Sequence, residues 1–292
     1  ELSGIENLEI PEFTTDGLEY NYRNKFTYEL TEDHNSYAVL ERSSHNLLPI
    51  EKSSLPREEI SERALEILNL GIEDNLDKIV IRVNSNGKTV ATGDQDIILS
   101  DYLLGQKFVY DLNSFFQINL PVYSLFLRDL QDFVLDLNFK DDLELVDFYS
   151  GVGTIGLTLA AGELKDKFKR ISLVEVSKSS VKYAKKNCRN ILGKYSERAE
   201  VVLANANRAL GYIKKNSLLI VDPPRAGLDK KVRRQICDVK PKYIAYLSCN
   251  PATQARDVRQ LLENGYQILQ TQGYNFFPRT PHIENLVILE AE

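Results

Sequence analysis

Asp147-Phe148-Tyr149-Ser150-Gly151-Val152-Gly153-Thr154-Ile155-Gly156 follows an apolar run at 143–148 and opens a helical pattern. Gly151, Gly153 and Gly156 satisfy G-x-G-x-x-G, the spacing that lets a backbone turn tightly, approach a cofactor closely and direct a helix start toward it. Glu175 closes the next apolar run, about 20 residues on, where a carboxylate binds the two hydroxyls of a ribose. A nicotinamide dinucleotide and S-adenosylmethionine both offer that diol, so these residues suit either.

Outward from this stretch the pattern repeats. Short apolar runs at 143–148, 171–176, 199–203, 218–221, 243–247 and 266–269 alternate with polar or lysine-rich helical segments. That alternation predicts a doubly wound α/β, Rossmann-like domain over 111–292. Residues 121–137 carry a helical apolar stripe that leads into it. Residues 1–110 read instead as a smaller α+β domain. They contain a hairpin over 20–30 and 37–42, a helix from Pro56 to Leu70 ended by Gly71, and a second hairpin whose strands at 78–83 and 88–91 flank Asn84-Ser85-Asn86-Gly87.

Composition excludes several classes. Hydrophobic residues make up 43% and charged residues 27% of the 292, values of an ordinary folded chain rather than of a disordered, collagenous or coiled-coil one. No apolar stretch has the length of a membrane span, which predicts no membrane partner. Cys188, Cys237 and Cys249 stand far apart, with no C-x-x-C pair. They predict a reducing, cytoplasmic setting and neither a disulfide framework nor a metal site. The net charge of −6 is uneven: residues 1–110 carry −11 and the remainder +5.

Three later segments carry chemistry. Asp222-Pro223-Pro224-Arg225 sets an acid at the end of an apolar run, beside two prolines that hold the backbone extended. A dehydrogenase has no use for that loop. Ser248-Cys249-Asn250-Pro251 puts a thiol at the end of the next run and just before a helix, where ligands of α/β sheets bind and where a thiolate is favoured. Cys188 and Cys237 fall inside helical patterns and read as core residues. Phe277-Pro278-Arg279-Thr280-Pro281-His282-Ile283-Glu284 delivers a carboxylate from a proline-rich loop into the last strand, a position suited to a general base. His282 reads as an orienting residue.

In their order, 147–156, Asp222 to Arg225, Ser248-Cys249-Asn250-Pro251-Ala252-Thr253-Gln254-Ala255-Arg256-Asp257 and Thr280 to Glu284 resemble the RNA uracil-5 methyltransferase family, which modifies uridines in tRNA and ribosomal RNA. Ser114-Phe115-Phe116-Gln117-Ile118-Asn119 and Tyr22-Arg23-Asn24-Lys25 resemble two further segments of that family. The resemblance implies that Cys249 is the nucleophile and Glu284 the proton acceptor. It implies that Gln117, Tyr149, Gly151, Thr154, Glu175, Asn205 and Asp222 contact S-adenosylmethionine, with S-adenosylhomocysteine as product. The implied reaction is methyl transfer to C5 of a uridine in structured RNA through a Cys–C6 adduct. The alternative is methylation of another RNA base or planar substrate on the same fold. RNA is the implied partner, and no obligatory protein partner is expected. Family members commonly add an N-terminal RNA-binding barrel, and many add four cysteines for an iron–sulfur cluster; these 292 residues contain neither. Asn275-Phe276 also stand where the family usually has Asp-Met.

Overall fold

The computed structural model describes residues 11–41, 44, 46–72, 76–137 and 143–292. Alternating aromatic and polar residues build the first sheet. Strands β1 (Lys25–Leu30), β2 (Tyr37–Leu40) and β3 (Leu47–Ile50), helix α1 (Glu58–Leu70), and strands β4 (Lys78–Val83) and β5 (Thr89–Ala91) form an antiparallel sheet of order β3-β2-β1-β4-β5 with α1 packed on it. Phe26, Tyr28, Leu30, Ile79 and Ile81 meet Ile60 and Ala64 in a core of their own. Gly87 takes φ +83° and closes the β4–β5 turn by donating to the Asn84 carbonyl at 3.0 Å, the conformation that makes glycine the residue of choice there. Arg42, where the second expected strand ends, and residues 1–10 lie outside the described residues.

The sequence reading contains neither β3 nor the hairpin of β6 (Ile98–Leu103) and β7 (Gln106–Asp111). Leu99, Leu103, Phe108 and Tyr110 of that hairpin are buried in the core of the larger unit, so the boundary expected at residue 110 falls within β7. Its polar residues obscure the alternation because several are buried themselves, Asp101 and Asp111 among them.

The larger unit runs α2 (Leu120–Asp136), β8 (Leu143–Phe148), α3 (Thr154–Leu159), β9 (Phe168–Glu175), α4 (Lys178–Leu192), β10 (Ala199–Leu203), β11 (Ser217–Val221), α5 (Lys230–Val239), β12 (Tyr243–Ser248), α6 (Pro251–Leu262), β13 (Tyr266–Tyr274) and β14 (Glu284–Ala291). Its strands order as β10-β9-β8-β11-β12-β14-β13, and β14 alone among the seven runs against its neighbours. Strand order reverses at β8, which opens a crevice at the carboxyl ends of the strands. Gly156 serves the packing behind that crevice. A Cβ there would sit 2.7 Å from Leu173 Cδ2 and 2.8 Å from Asp147 Oδ2, so α3 approaches β8 and β9 more closely than any side chain permits.

The two units meet around one buried cation. Arg82 of β4 is fully buried and donates to the carbonyls of Ser114 (3.1 Å) and Phe116. Its guanidinium carbon lies 4.8 Å from the Tyr110 ring centre and 5.6 Å from that of Phe116. Burial pulls Arg82 down to about 10, against the opposing pull of Tyr110, Asp101 and Asp111, so it is charged at neutral pH. Nearby, Asn24 Nδ2 donates to the Gln117 carbonyl (2.9 Å), the Asn24 amide to Ile118 (2.9 Å) and Lys25 Nζ to Leu112 (3.0 Å). The small unit thus grips the segment from Leu112 to Ile118 by successive carbonyls. Removing Arg82 leaves two buried carbonyls unpaired, at roughly 1–3 kcal/mol each. Arg82→Met is therefore expected to lower unfolding stability by about 2–5 kcal/mol in urea titrations; a midpoint equal to wild type would mean that the clamp holds nothing together.

Candidate active site

The crevice is lined by Phe116, Gln117, Tyr149, Gly151, Thr154 and Asp222, with Phe115 at its mouth 63% exposed. Each lining residue has a local reason to be there. Gln117 is held by the clamp just described. Tyr149 takes φ +65°, a sparsely populated conformation for a residue with a side chain, and Gly151 follows at φ +56°, where a Cβ would point at Phe115, 3.8 Å from its carbonyl oxygen. Thr154 begins α3 and its hydroxyl lies 2.7 Å from that of the buried Tyr123. Glu175, at the end of β9, accepts from the amides of Gly151 (2.9 Å), Val176 (2.9 Å) and Ser177 (2.7 Å), which fixes its carboxylate beside the glycine turn. Five of the seven residues expected around a cofactor therefore line the crevice, and Glu175 adjoins it. Asn205 follows the end of β10, next to Ala204, whose amide donates to the Glu175 carbonyl (2.9 Å), and its side chain caps the short turn there, accepting from the Asn207 amide at 3.2 Å.

Cys249 and Glu284 come together through strand register. In the antiparallel pair of β12 and β14 the last paired residues are Ser248 and Asn285, so Cys249, just past the end of β12, and Glu284, the first residue of β14, meet at the same edge of the sheet, near enough for Glu284 to raise the Cys249 thiol. Gln254 of α6 locks this register, donating to the carbonyls of Tyr246 (2.9 Å) and Asn285 (3.0 Å) and accepting from Asn285 Nδ2 (2.7 Å). The Asp222 loop is pinned to the same place. Asn250 Nδ2 (2.9 Å) and Thr253 Oγ1 (3.1 Å) both donate to the Arg225 carbonyl. Asp257, wholly buried, accepts from the Leu228 amide (2.8 Å), Tyr246 Oη (2.9 Å), Arg256 Nε (2.9 Å) and Arg233. Gly227 makes room for it, since a Cβ there would meet Asp257 Oδ2 at 2.7 Å.

The site is electrostatically tense. Glu284 is 5% exposed and its Oε2 has no partner. Burial first, and then the charge of Asp222, push it well above the usual carboxylate range. Burial raises Asp222 to about 7, and Asp147, beneath α3 with Oδ1 unpartnered, to about 8. The Cys249 thiol is raised by burial, then by Glu284 and Asp222, with Arg225 pulling the other way. Arg225 itself lies 3.2 Å from His282 Nδ1, which fits the orienting role expected for that histidine. An unsatisfied acid meeting a thiol at one sheet edge, with a second acid beside both, suits proton removal and sulfur addition on a neutral planar ring. Cys188 is buried in the main core, and Cys237, on α5, is half-buried against the second core. Among the described residues no His, Cys, Asp and Glu group suits a metal, and no helix is long and apolar enough to cross a membrane.

Sequence reasoning did not single out Arg82, Tyr123, Asp147 as a buried acid, or the Gln254 and Asp257 locks. The available signal was a charge inside an apolar run: Arg82 in 78–83 and Asp147 in 143–148.

The strand order, with its one reversed strand and its crevice over the glycine turn, defines a Rossmann-like methyltransferase fold. The chain superposes with TM-score 0.76 on the Pyrococcus abyssi tRNA (uracil-54, C5)-methyltransferase solved with S-adenosyl-L-homocysteine, covering 99% of this chain and 80% of that one at 23% identity. A family profile for tRNA (uracil-5-)-methyltransferases matches residues 206–292, the part that holds Asp222, Cys249 and Glu284. An uncharacterized RNA methyltransferase of Enterococcus faecalis is 34% identical over 223 residues, 72% of this chain and 46% of the relative. One from Caldanaerobacter subterraneus is 32% identical over 225 residues, 74% and 47%. By these matches the chain belongs to the RNA methyltransferase family of these relatives, and its residues 206–292 carry the tRNA (uracil-5-)-methyltransferase pattern. It spans about half the length of the curated relatives it matches.

Two consequences are measurable. A carboxyl whose folded value is raised is more protonated in the folded than in the unfolded chain, so it removes stability as pH climbs from its unfolded value toward its folded one. Asp147, raised to about 8, therefore makes the wild type lose melting temperature between pH 5 and pH 8, by the order of a few degrees. Asp147→Asn keeps an acceptor for the Gly156 amide and is expected to flatten that slope; an unchanged slope would clear Asp147 of the effect. For Cys249, iodoacetamide labelling followed by peptide mass mapping is expected to show a midpoint above the ordinary thiol value of about 8.5. Arg225→Ala should move that midpoint higher still, whereas a fall would reverse the sign assigned to Arg225.

Proposed function

We propose that this chain transfers a methyl group from S-adenosylmethionine to C5 of a uridine in structured RNA, a tRNA or a ribosomal RNA, with Cys249 as nucleophile and Glu284 as proton acceptor. The observation that carries this reading is the meeting of Cys249, Glu284 and Asp222 where the end of β12 adjoins the start of β14. Family membership supports it, and so does the name of the Pyrococcus abyssi relative, a C5 methyltransferase of tRNA uracil.

The residues present fit the cofactor. Gly151 keeps a side chain out of the gap between the glycine turn and Phe115, the fixed carboxylate of Glu175 suits a ribose diol, and Asp222, Gln117, Tyr149 and Thr154 border the same space. A sulfonium is a cation, and its approach relieves the cost of an ionised Asp222 in a site that otherwise raises it to about 7. When bound, S-adenosylmethionine supplies an electrophilic methyl group. Asn205, at the strand end beside Glu175, completes the set.

C5 of uracil is a poor nucleophile. Cys249 gives up its proton to solvent, and addition of the resulting thiolate at C6 forms the C–S bond and moves the C5–C6 electron pair into an enolate with the C4 carbonyl, which makes C5 electron-rich, covalent catalysis that splits one hard step into two. Once C5 carries the methyl, Glu284 as carboxylate takes the C5 proton, the double bond re-forms and the C6–S bond breaks, returning Cys249. Glu284 must shed its own proton for this, and its unpartnered Oε2 faces no donor that would hold the charge in the resting site. The target base has to leave its stack to present C5 and C6 to the half-buried thiol, at a few kcal/mol, which favours loops and flexible RNA. Three free cysteines fit a reducing cytoplasm as the place of work, and RNA is the one partner the reaction requires.

The test is mass analysis after incubation with S-adenosylmethionine and 5-fluorouridine RNA. Fluorine at C5 cannot leave as a proton does, so the wild type should accumulate an RNA-linked peptide containing Cys249. Cys249→Ala should form no adduct and no product while still binding S-adenosylhomocysteine; methylation by that variant would end the proposal. Glu284→Gln should add and methylate but release slowly, leaving RNA-linked protein on denaturing gels with ordinary uridine.

A further inference from the structure

Residues 165–198 carry eleven Lys and Arg against three Asp and Glu, a net of +8, so the rest of this chain of −6 carries −14. Much of that charge lies on α4. Lys178, Lys182, Lys185, Lys186 and Arg189 recur at helical spacing and are all exposed, while Val181, Ala184, Asn187, Cys188 and Leu192 turn inward. Helix α4 contains no Asp or Glu. Its cations therefore have no acid at i+3 or i+4 to neutralise them, and like charges repel along the face. A helix that needed only solubility would intersperse both signs.

Placement gives the row a direction. Lys178 opens α4 three residues after Glu175, beside the crevice, and the row runs about 16 Å from there to Arg189. Past its far end is a groove of about 230 Å³ lined by Lys165, Asn190, Gly193 and Tyr195 among others. Lys194 and Arg198 lie over the Tyr195 ring at 5.2 and 4.6 Å. A row of unneutralised cations leading to a groove with an amide and an aromatic ring suits a phosphodiester chain with bases. An interfacial membrane helix needs large apolar residues beside its cations, and none of the exposed large hydrophobic residues is on α4.

We propose that the outer face of α4 and the adjoining groove are the track that holds RNA phosphates leading away from the active site. This rests on the reading of Cys249 and Glu284 as an RNA-modifying pair. It also supplies what the acidic first 110 residues do not, a surface a polyanion approaches favourably.

The experiment measures binding, separately from catalysis. Fluorescence anisotropy of a fluorescein-labelled, unmodified tRNA transcript is followed over a salt series for the wild-type chain and for the combined variant Lys182→Ala, Lys185→Ala, Lys186→Ala and Arg189→Ala. The variant is expected to bind at least tenfold more weakly at low salt. Its slope of log K against log salt should be shallower by about 0.7–0.9 for each phosphate that is no longer neutralised. Melting temperature and S-adenosylhomocysteine affinity should match the wild type, and arginine at the same four positions should restore RNA binding. Equal affinity and slope in the alanine variant would overturn the proposal, as would a wild type that fails to bind the transcript at low salt. Stronger dependence on these residues for phosphatidylserine vesicles than for tRNA would reassign the face to a membrane. If the track residues govern tRNA binding but the 5-fluorouridine trap gives no Cys249 adduct, the track is supported and the chemistry assigned to Cys249 fails.

Discussion

A guanidinium stripped of water must be met by acceptors, and Arg82 meets them in the carbonyls of Ser114 and Phe116. Burying such a charge is costly unless it is paired and hydrogen-bonded, so the backbone that supplies those carbonyls has little freedom. Gln117 lies within that backbone, and Asn24 and Lys25 hold it on both sides. One wall of the crevice is thereby set by the small unit rather than by the Rossmann-like sheet beneath it. The two units form one machine in this sense: loosening β4 moves Gln117 even though no residue of the larger unit has changed.

The opposite wall obeys a different constraint. A reversed strand is what allows Cys249 and Glu284 to meet, because two parallel strands would carry their carboxyl-end residues side by side and leave no strand start at that edge. With β14 antiparallel to β12, a strand end and a strand start meet at the same place. Gln254 then prevents slippage, and a slip of one residue would turn Glu284 to the other face of the sheet. Asp257 ties the loop of Asp222 to the same helix. Three segments far apart in sequence are thus held by hydrogen bonds whose donors and acceptors are mostly buried.

What the sequence made legible follows from how local each signal is. The glycine turn, the apolar runs of β8 to β12 and the Asn-Gly hairpin each state their structure within ten residues, and each is found where expected. The β6–β7 hairpin was hidden because Asp101 and Asp111 are buried by partners remote in sequence or across a turn: Asp101 accepts from the Ser85 amide and Tyr110, Asp111 from Ser114 and Ser179. Arg82 was passed over for the same reason, since only its carbonyl partners, more than 30 residues on, make a charge in mid-strand reasonable. Of the candidate site, Cys249, Glu284, Asp222 and the crevice residues were readable from motifs in order. Asn205 was carried by resemblance alone, in a turn where the structure gives it a capping role.

In the proposed reaction, charge separates recognition from chemistry. Burial raises Asp147, Asp222 and Glu284 toward their neutral forms, so the crevice offers acids rather than a phosphate-binding cluster of cations, a setting compatible with a neutral pyrimidine and a sulfonium. An arginine-rich catalytic pocket would attract RNA more strongly, but it would favour the backbone over the base and would stabilise Glu284 as a weak base. Raising Glu284 by burial and a neighbouring acid does the reverse, giving a carboxylate that, once formed, takes a proton avidly. The polyanion must then be held elsewhere, and the unneutralised face of α4 lies one strand end away from Glu175. An enzyme that adds sulfur to a neutral ring inside a polyanion therefore gains from keeping its cations outside the pocket and its acids within.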